Sequence, residues 1–98
     1  MERTDETLTA AFAEVIRRRR VSAGLTQQQL AELADVSTRH ISFVETNRRQ
    51  PTMTIIAALS QGLGITLAEF AGEIEATWLA AKDVTGPEKL IERKPKRA

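Results

Sequence analysis

The stretch from position 17 to position 49 is rich in arginine and in small hydroxyl residues, which are side chains that can bind another molecule through charge and hydrogen bonds. Between positions 17 and 49 the sequence has seven arginines against three acidic residues, a local net charge of +4, whereas the whole chain of 98 residues carries +1. Positions 50 to 79 contain no lysine or arginine and carry a net charge of −3. A positive charge concentrated in one half of a molecule steers a polyanion to that half. The stretch therefore favours contact with nucleic acid.

Other kinds of chemistry have few residues to support them. The chain has no cysteine, and its single histidine, His40, cannot build a metal centre alone. No nucleophile with a neighbouring base and no phosphate-binding loop is recognisable, so the sequence predicts neither an enzyme nor a bound cofactor or metal. No run of about eighteen apolar residues is present and the N-terminal segment is acidic, so we expect a cytoplasmic protein without a membrane segment.

Two short helical patterns, over 27–34 and 38–46, position the arginine-rich stretch. Thr26 and Ser37 are typical N-cap residues, and each stands between apolar residues at the spacing of a hydrophobic staple. Very few residues separate the two patterns, so the chain must turn sharply, and Asp35 tolerates the left-handed conformation that such a turn usually needs. The pattern predicts a helix-turn-helix, in which the second helix can enter the major groove of DNA.

The second of these helices has one apolar side and one side suited to reading DNA. Ile41 and Val44 lie three positions apart and are predicted to face the core. On the other side an arginine can make a bidentate contact to guanine, hydroxyl groups can hydrogen-bond to several bases, and a phenyl ring can contact a thymine methyl group. The predicted base-reading residues are Thr38, Arg39, Ser42 and Phe43.

Between about Ile16 and Phe70 the sequence contains an ordered set of residues and short motifs: Arg20, Gly24-Leu25-Thr26-Gln27, Leu30-Ala31, Val36-Ser37, Ile41-Ser42, Glu45, Pro51-Thr52, Leu59 and Leu63-Gly64-Ile65. In this order and spacing the set resembles the Cro/repressor-type, or XRE, helix-turn-helix family. Asp35 and Asn47 stand where this family often has glycine, and both residue types can take a positive φ. The resemblance implies an all-α, five-helix, lambda-repressor-like domain that binds double-stranded DNA.

The resemblance also implies roles for polar residues around the helix-turn-helix. Arg20 is expected to pair with Glu45 and so to lock the first helix to the third. Gln27 is expected to reach the DNA backbone and brace the recognition helix, unless it is an ordinary exposed glutamine.

Phosphate contacts are predicted for a set of polar and basic residues on this side of the domain. For the arginines of the first helix the alternative is a solvated basic face. For the histidine of the set the alternative is packing beside the end of the first helix. The set comprises Arg17, Arg19, Gln27, Ser37, His40, Asn47, Arg48 and Arg49.

Three further helices are predicted from caps and apolar periodicity. The first begins between Asp5 and Thr7 and ends near Ala23, before Gly24. The fourth spans Met53 to Leu63 after the cap Thr52, and the fifth opens with a capping box of Thr66 and Glu69. Gly62, inside the fourth helix, implies close packing or a weak helix end. Candidate core residues of the first two helices are Leu8, Phe12, Val15, Ile16, Leu30, Ala31 and Leu33.

The apolar stripe of the fifth helix continues past the point where the family domain normally ends. Ile74, Trp78 and Leu79 are predicted to form a dimer surface, because so small a domain has little core left to cover them and tryptophan is a frequent interface anchor. The alternative is that Trp78 folds back on the first helix. The domain is predicted over 1–82, with a basic C-terminal tail over 83–98 that is flexible or lies on DNA or on a protein partner.

Together these features predict a sequence-specific transcriptional regulator, most simply a repressor, that binds a palindromic operator as a homodimer. One copy offers about four base-reading side chains, too few for specificity without a second half-site. The alternative is an interaction module of the same fold, an antitoxin or adaptor, that acts mainly through a protein partner. The basic surface of Arg39, Arg48 and Arg49 argues against it, because an adaptor would not need it. A phage-type repressor, a restriction-modification controller and an antitoxin are not distinguished.

Overall fold

A computed structural model describes residues 5–46 and 49–82, which form five helices without a strand. The predicted all-α, five-helix, repressor-like fold is confirmed. The helix boundaries differ from the predicted ones by about one residue, and the predicted tail of 83–98 lies outside the described residues. The helices are α1 (Glu6–Ser22), α2 (Gln27–Ala34), α3 (Thr38–Glu45), α4 (Met53–Leu63) and α5 (Leu67–Lys82).

The residue before each helix caps it, because its side chain accepts a hydrogen bond from the backbone N–H three residues further on. In α1 the acceptor is the carboxylate of Asp5. In the other four helices it is the predicted hydroxyl oxygen, at 2.9 to 3.1 Å from the donor nitrogen. These bonds satisfy N–H groups that have no partner inside the helix. The four hydroxyl caps belong to Thr26, Ser37, Thr52 and Thr66.

Three of the connections repeat one pattern of a left-handed residue, an apolar residue and an N-cap. The left-handed residues have φ between 60° and 76°, and the apolar residue after each donates its N–H to the carbonyl five residues back. This is the Schellman arrangement, which ends a helix, and the apolar residue packs against the core. Each connection thus stops one helix and starts the next within three residues. They are Gly24-Leu25-Thr26, Asp35-Val36-Ser37 and Gly64-Ile65-Thr66.

The core lies where α1 packs against α3 and α5 and where α2 packs against α3 and α4. The rings of Phe12 and Phe70 join α1 to α5, with centroids 5.9 Å apart. Leu33, a predicted core residue, is 58% exposed. The buried face of α2 is formed by Leu30, Ala31 and Ala34, and position 33 points about 105° away from the centre of that face around the helix axis. Leu8 is also more exposed than predicted. The fully buried side chains include Val15, Ile16, Leu30, Ile41, Val44, Leu59 and Phe70.

The C-terminal half of α5 packs within the chain more than predicted. Ile74 is 7% exposed and belongs to the core. Trp78 packs against that core, and its indole N–H donates to Oδ2 of Asp5 at 3.2 Å. The structure therefore assigns Ile74 to the core of one chain, and the half-buried Trp78 packs against that core. The long α1 covers this part of α5, which is the alternative in which Trp78 folds back on the first helix.

Length and composition give no single membrane-spanning helix in the part of the chain that the structure describes. The helices α4 and α5 are long and apolar enough only when they are counted together, and a bend of 109° separates them.

Gly62 lies close to Ala34, where α4 packs against α2. A Cβ atom built at this position would lie 3.1 Å from both the Cβ and the backbone nitrogen of Ala34. Two of the three nearest atoms belong to the backbone of α2 and cannot rotate away. In contrast, a Cβ atom at Gly72 in α5 would meet no atom within 4 Å. The predicted need for close packing at Gly62 is therefore confirmed.

We expect Gly62→Ala to lower the free energy of unfolding and Gly72→Ala to raise it. Both glycines lie inside helices, so alanine gains about 1 kcal/mol of helix propensity at each. At position 62 the added methyl group presses on α2, and overpacking costs about 1 to 3 kcal/mol. Urea unfolding followed by far-ultraviolet circular dichroism should show midpoints displaced in opposite directions. Equal stabilisation by the two variants would contradict tight contact between α2 and α4.

Candidate nucleic-acid interface

The exposed side of α3 carries the residues predicted to read bases. Thr38 and Arg39 are exposed in its first turn, and Ser42 and Phe43 are half-buried one turn later. The opposite side is anchored by Ile41 and Val44, which are 0% exposed. The burial pattern of α3 thus places the four predicted residues on its outer side or at its edge. Such a helix presents hydrogen-bonding side chains where a groove of DNA could receive them.

Ser37 lies at the N-terminus of α3, where several backbone N–H groups have no carbonyl partner in the helix. Its Oγ accepts the hydrogen bond from the N–H of His40 at 3.0 Å, and its side chain is exposed. The N-terminus of a helix favours anions because the N–H groups and the helix dipole both point a positive end outward. The position of Ser37 suits contact with a phosphate oxygen.

Arg20 and Glu45 form the predicted ion pair between α1 and α3. The contact is bidentate, with Nε 2.6 Å from Oε2 and Nη2 3.0 Å from Oε1. The third nitrogen of the guanidinium also makes a hydrogen bond, because Nη1 donates to the backbone carbonyl of Leu25 at 2.8 Å. The side chains of Arg20 and Glu45 are 14% and 2% exposed. The hydrogen bond to Glu45 raises the pKa of Arg20 above its ordinary value despite partial burial, so the guanidinium stays charged.

Gln27 joins the same cluster from the start of α2. Its Nε2 donates to Oε1 of Glu45 at 3.1 Å, the oxygen that also accepts from Arg20. The half-buried Gln27 therefore braces the end of the recognition helix, as one part of its predicted role requires. Glu45 connects α1, α2 and α3 in this way. We refer to Arg20, Gln27 and Glu45 below as the Glu45 cluster.

Phe43 contacts two arginines. The guanidinium carbons of Arg39 and Arg49 lie 5.7 and 5.4 Å from the centroid of its ring. Both distances fall within the range of about 6 Å in which a cation is attracted to an aromatic face. The ring, which belongs to α3, therefore contacts one arginine of its own helix and one of the segment that follows, instead of standing alone as an exposed apolar surface.

The arginines of α1 do not all face the recognition helix. Nε of Arg19 lies 2.6 Å from Oε1 of Glu73 in α5, and Nη2 of Arg18 lies 3.0 Å from Oε2 of the same carboxylate. Arg19 is thus used between α1 and α5, and we do not retain it among the phosphate contacts. Arg17 is exposed, as a phosphate contact requires. Sequence reasoning missed Glu73, because no local signal shows which helix lies beside its own.

Three further predicted phosphate contacts are placed differently or fall outside the description. Nε2 of His40 is buried without a hydrogen-bond partner, so this atom does not present itself to a phosphate. The part of the ring that carries Nε2 is packed inside the domain. Asn47 and Arg48 lie outside the described residues. Within 5–46 and 49–82 no group of three or more histidine or acidic side chains could hold a metal ion.

Comparison with known proteins agrees with this geometry. A helix-turn-helix family model matches residues 16–70, which is more than half of the chain. The structure and the match together define a DNA-binding regulator of the helix-turn-helix class. The chain belongs to the XRE-type helix-turn-helix family. A search of curated protein sequences gave no match.

Several solved structures are similar to the chain. The wild-type restriction-modification controller protein C.Esp1396I is 26% identical, with a TM-score of 0.69 over 74% of this chain and 92% of that one. The same controller has been solved as a tetramer with its natural 35-base-pair operator, at 26% identity and a TM-score of 0.69 over 74% of this chain and 95% of that one. The clp gene regulator ClgR from Corynebacterium glutamicum is 24% identical, with a TM-score of 0.71 over 87% of this chain and 90% of that one, and shows the shared fold.

We expect Arg20→Ala and Glu45→Gln each to lower the free energy of unfolding by about 3 kcal/mol, because each leaves a buried partner without its counter-charge. Gln27→Ala should lower it by about 1 kcal/mol, since one neutral donor is lost. Urea unfolding of the single variants and of Arg20→Ala/Glu45→Gln would measure the coupling. If the losses of the two single variants simply added, Arg20 and Glu45 would not act as a pair.

The contact between α1 and α5 should depend on pH. Burial alone would raise the pKa of Glu73, but hydrogen bonds from Arg19 and Arg18 outweigh it and hold that pKa below its ordinary value of 4.5. The ionised carboxylate therefore stabilises the fold above that value, and the contribution is lost as the pH falls below it. Glu73→Gln should reduce stability by about 0.5 to 1 kcal/mol at neutral pH.

Thermal unfolding across the acid range would measure this pH dependence. The difference between the wild-type protein and Glu73→Gln should shrink as the pH falls through the carboxyl range. Glu75→Gln is the matched control, because Glu75 is exposed on the same helix and its removal should change stability little at any pH. A difference between wild type and Glu73→Gln that stayed constant with pH would rule out the ion pairs as its source.

Proposed function

We propose that this chain is a sequence-specific transcriptional repressor that binds a two-fold symmetric operator as a homodimer. The observation that carries the proposal is the exposed first turn of α3, with Thr38 and Arg39 outward on a helix whose other side is fully buried. The Glu45 cluster supports it, because this cluster fixes the end of α3 relative to α1 and α2. A helix that must fit a groove has to be held at a fixed angle.

In the proposed complex α3 enters the major groove. Arg39 donates to O6 and N7 of a guanine, and the hydroxyl groups of Thr38 and Ser42 bond to neighbouring base edges. Phosphate contacts then set the register of the helix on the duplex without reading sequence. The residues proposed for these contacts are Arg17, Gln27, Ser37 and Arg49, together with Asn47 and Arg48 outside the described residues.

A dimer is proposed because one α3 contacts only a few base pairs. Two major grooves on one face of the duplex lie about 34 Å apart, so a second copy can add a second half-site. The similar controller protein was solved as a tetramer with operator DNA, which supports a multimeric complex here. Of the residues predicted for the dimer surface, Leu79 is half-buried and does not belong to the buried core, so it remains a candidate.

Repression is the simplest outcome for such a domain. A dimer that occupies an operator blocks access to the overlapping promoter by its volume alone, whereas activation needs a further contact with the transcription machinery. A regulator of this kind works where the DNA is, so a cytoplasmic location belongs to the same proposal.

Selection of bound duplexes from a random DNA pool at near-physiological salt tests the proposal. An inverted repeat with half-sites about one helical turn apart is the expected result. Binding that is sensitive to salt but indifferent to sequence would contradict it and would favour the interaction module.

Two arginine variants separate base reading from phosphate contact on the selected sequence. Arg39→Ala should lose about 1 to 3 kcal/mol of preference at one base pair in each half-site. Arg49→Ala should weaken binding to all sequences alike and flatten the salt dependence by about one unit of slope. Identical behaviour of the two variants would contradict the division into a reader and a phosphate contact.

A further inference from the structure

Phe43 brings together two arginines that come from different parts of the chain. Arg39 and Phe43 are four positions apart on α3, so their side chains lie on the same face of the helix. Arg49 comes from the segment between α3 and α4. The guanidinium carbons lie over the Phe43 ring, 5.7 Å from its centroid for Arg39 and 5.4 Å for Arg49. A base-reading candidate and a phosphate-contact candidate therefore share one aromatic partner.

The ring of Phe43 has less conformational freedom than the arginine side chains. Phe43 is half-buried on α3, and the core side of this helix is anchored by Val44, which is 0% exposed. A short aromatic side chain adopts few rotamers, whereas an exposed arginine samples many. Two guanidinium groups near one another also repel, and the electron-rich face of the ring offsets part of that repulsion. The contacts of Phe43 thus restrict where both positive charges can lie.

We propose that Phe43 is a positioning residue that orders Arg39 and Arg49 before DNA arrives. The inference rests on the proposed function and deepens it, because it assigns Phe43 to the arginines instead of to a thymine methyl group. Binding requires that mobile side chains become ordered, and a side chain that is already ordered loses less freedom on binding. The ring acts through the two arginines.

One ring that serves both arginines also links affinity to specificity. Arg49 contacts the sugar-phosphate backbone in the proposed complex, and Arg39 contacts a base. Because both arginines lie against Phe43, loss of the ring would release a phosphate contact and a base contact together. A change at Phe43 should therefore alter base discrimination as well as overall affinity.

The binding experiment compares Phe43→Leu with Phe43→Tyr. Leucine keeps an apolar contact to α3 but removes the aromatic face, whereas tyrosine keeps the ring. We expect Phe43→Leu to weaken operator binding about three- to ten-fold and to reduce discrimination at the base pair that Arg39 reads, since cation–π contacts of exposed groups are of this size. Phe43→Tyr should retain both properties. Far-ultraviolet circular dichroism verifies that each variant keeps its helices.

A double-mutant cycle identifies the residues through which Phe43 acts. The effects of Phe43→Leu and Arg39→Ala should not add, because Arg39→Ala removes the group that the ring positions. The matched control is Arg18→Ala, since Arg18 is bound to Glu14 and Glu73 on the α5 side. Its effect should add to that of Phe43→Leu. Additivity with Arg39→Ala as well would overturn the proposal.

A measurement without DNA keeps this proposal separate from the proposed function. In the wild-type protein the side-chain N–H resonances of Arg39 and Arg49 should carry ring-current shifts that Phe43→Leu abolishes and Phe43→Tyr retains. If an operator is selected but the resonances of Arg39 and Arg49 carry no such shifts, the positioning role alone is overturned. A loss of preference for thymine in Phe43→Leu, with discrimination by Arg39 intact, would overturn it too. Failure to select any operator with the wild-type protein would overturn the proposed function.

Discussion

The bidentate ion pair of Arg20 with Glu45 is the contact on which the geometry of this domain depends. Glu45 is almost fully buried, and a buried carboxylate is unfavourable unless a counter-charge and hydrogen-bond donors surround it. Here those donors come from α1 and from the first residue of α2, so the end of α3 can be buried only when both are in place. The net stability that a buried ion pair adds is small, because the desolvation of two charges offsets their attraction. Its geometry fixes the end of α3 against α1 and α2, and in the proposed complex a helix that enters a groove needs one fixed arrangement.

The fold also divides the arginines at the end of α1 between two sides of that helix. Arg18 and Arg19 are turned toward α5, where Glu73 binds both, whereas Arg20 is held by Glu45 on the side of α3. The exposed arginines near the recognition helix are of another kind, because Arg39 and Arg49 meet an aromatic ring that leaves their charge uncompensated. The arginine-rich stretch is therefore not one basic patch. Carboxylates fix part of it to the fold, and of the other arginines that the structure describes, Arg17, Arg39 and Arg49 are exposed.

Features that depend on residues close together in the sequence were predictable, whereas most contacts between distant helices were not. The connections, such as Gly64-Ile65-Thr66, were predictable because the stop, the apolar contact and the cap act within a few residues of each other. The place of Arg20 and Glu45 followed from the family resemblance. The position of Trp78 against Asp5 and that of Arg19 against Glu73 depend on α1 and α5 lying side by side. No periodicity within either helix contains that information, so the sequence predicted Ile74 and Trp78 at a dimer surface, whereas Ile74 lies in the core of one chain and Trp78 packs against it.

The division of the arginines also bears on how the domain would bind a polyanion. Salt dependence counts the phosphates whose counterions are displaced by protein cations, and an arginine already held by a carboxylate inside the fold displaces few of them. The sequence between 17 and 49 has seven arginines, but Arg18, Arg19 and Arg20 are ion-paired within the chain. We therefore expect the fold itself to limit nonspecific affinity for DNA. The proposed sequence-specific regulator would benefit from this limit, because the ratio of specific to nonspecific binding decides which sites it occupies.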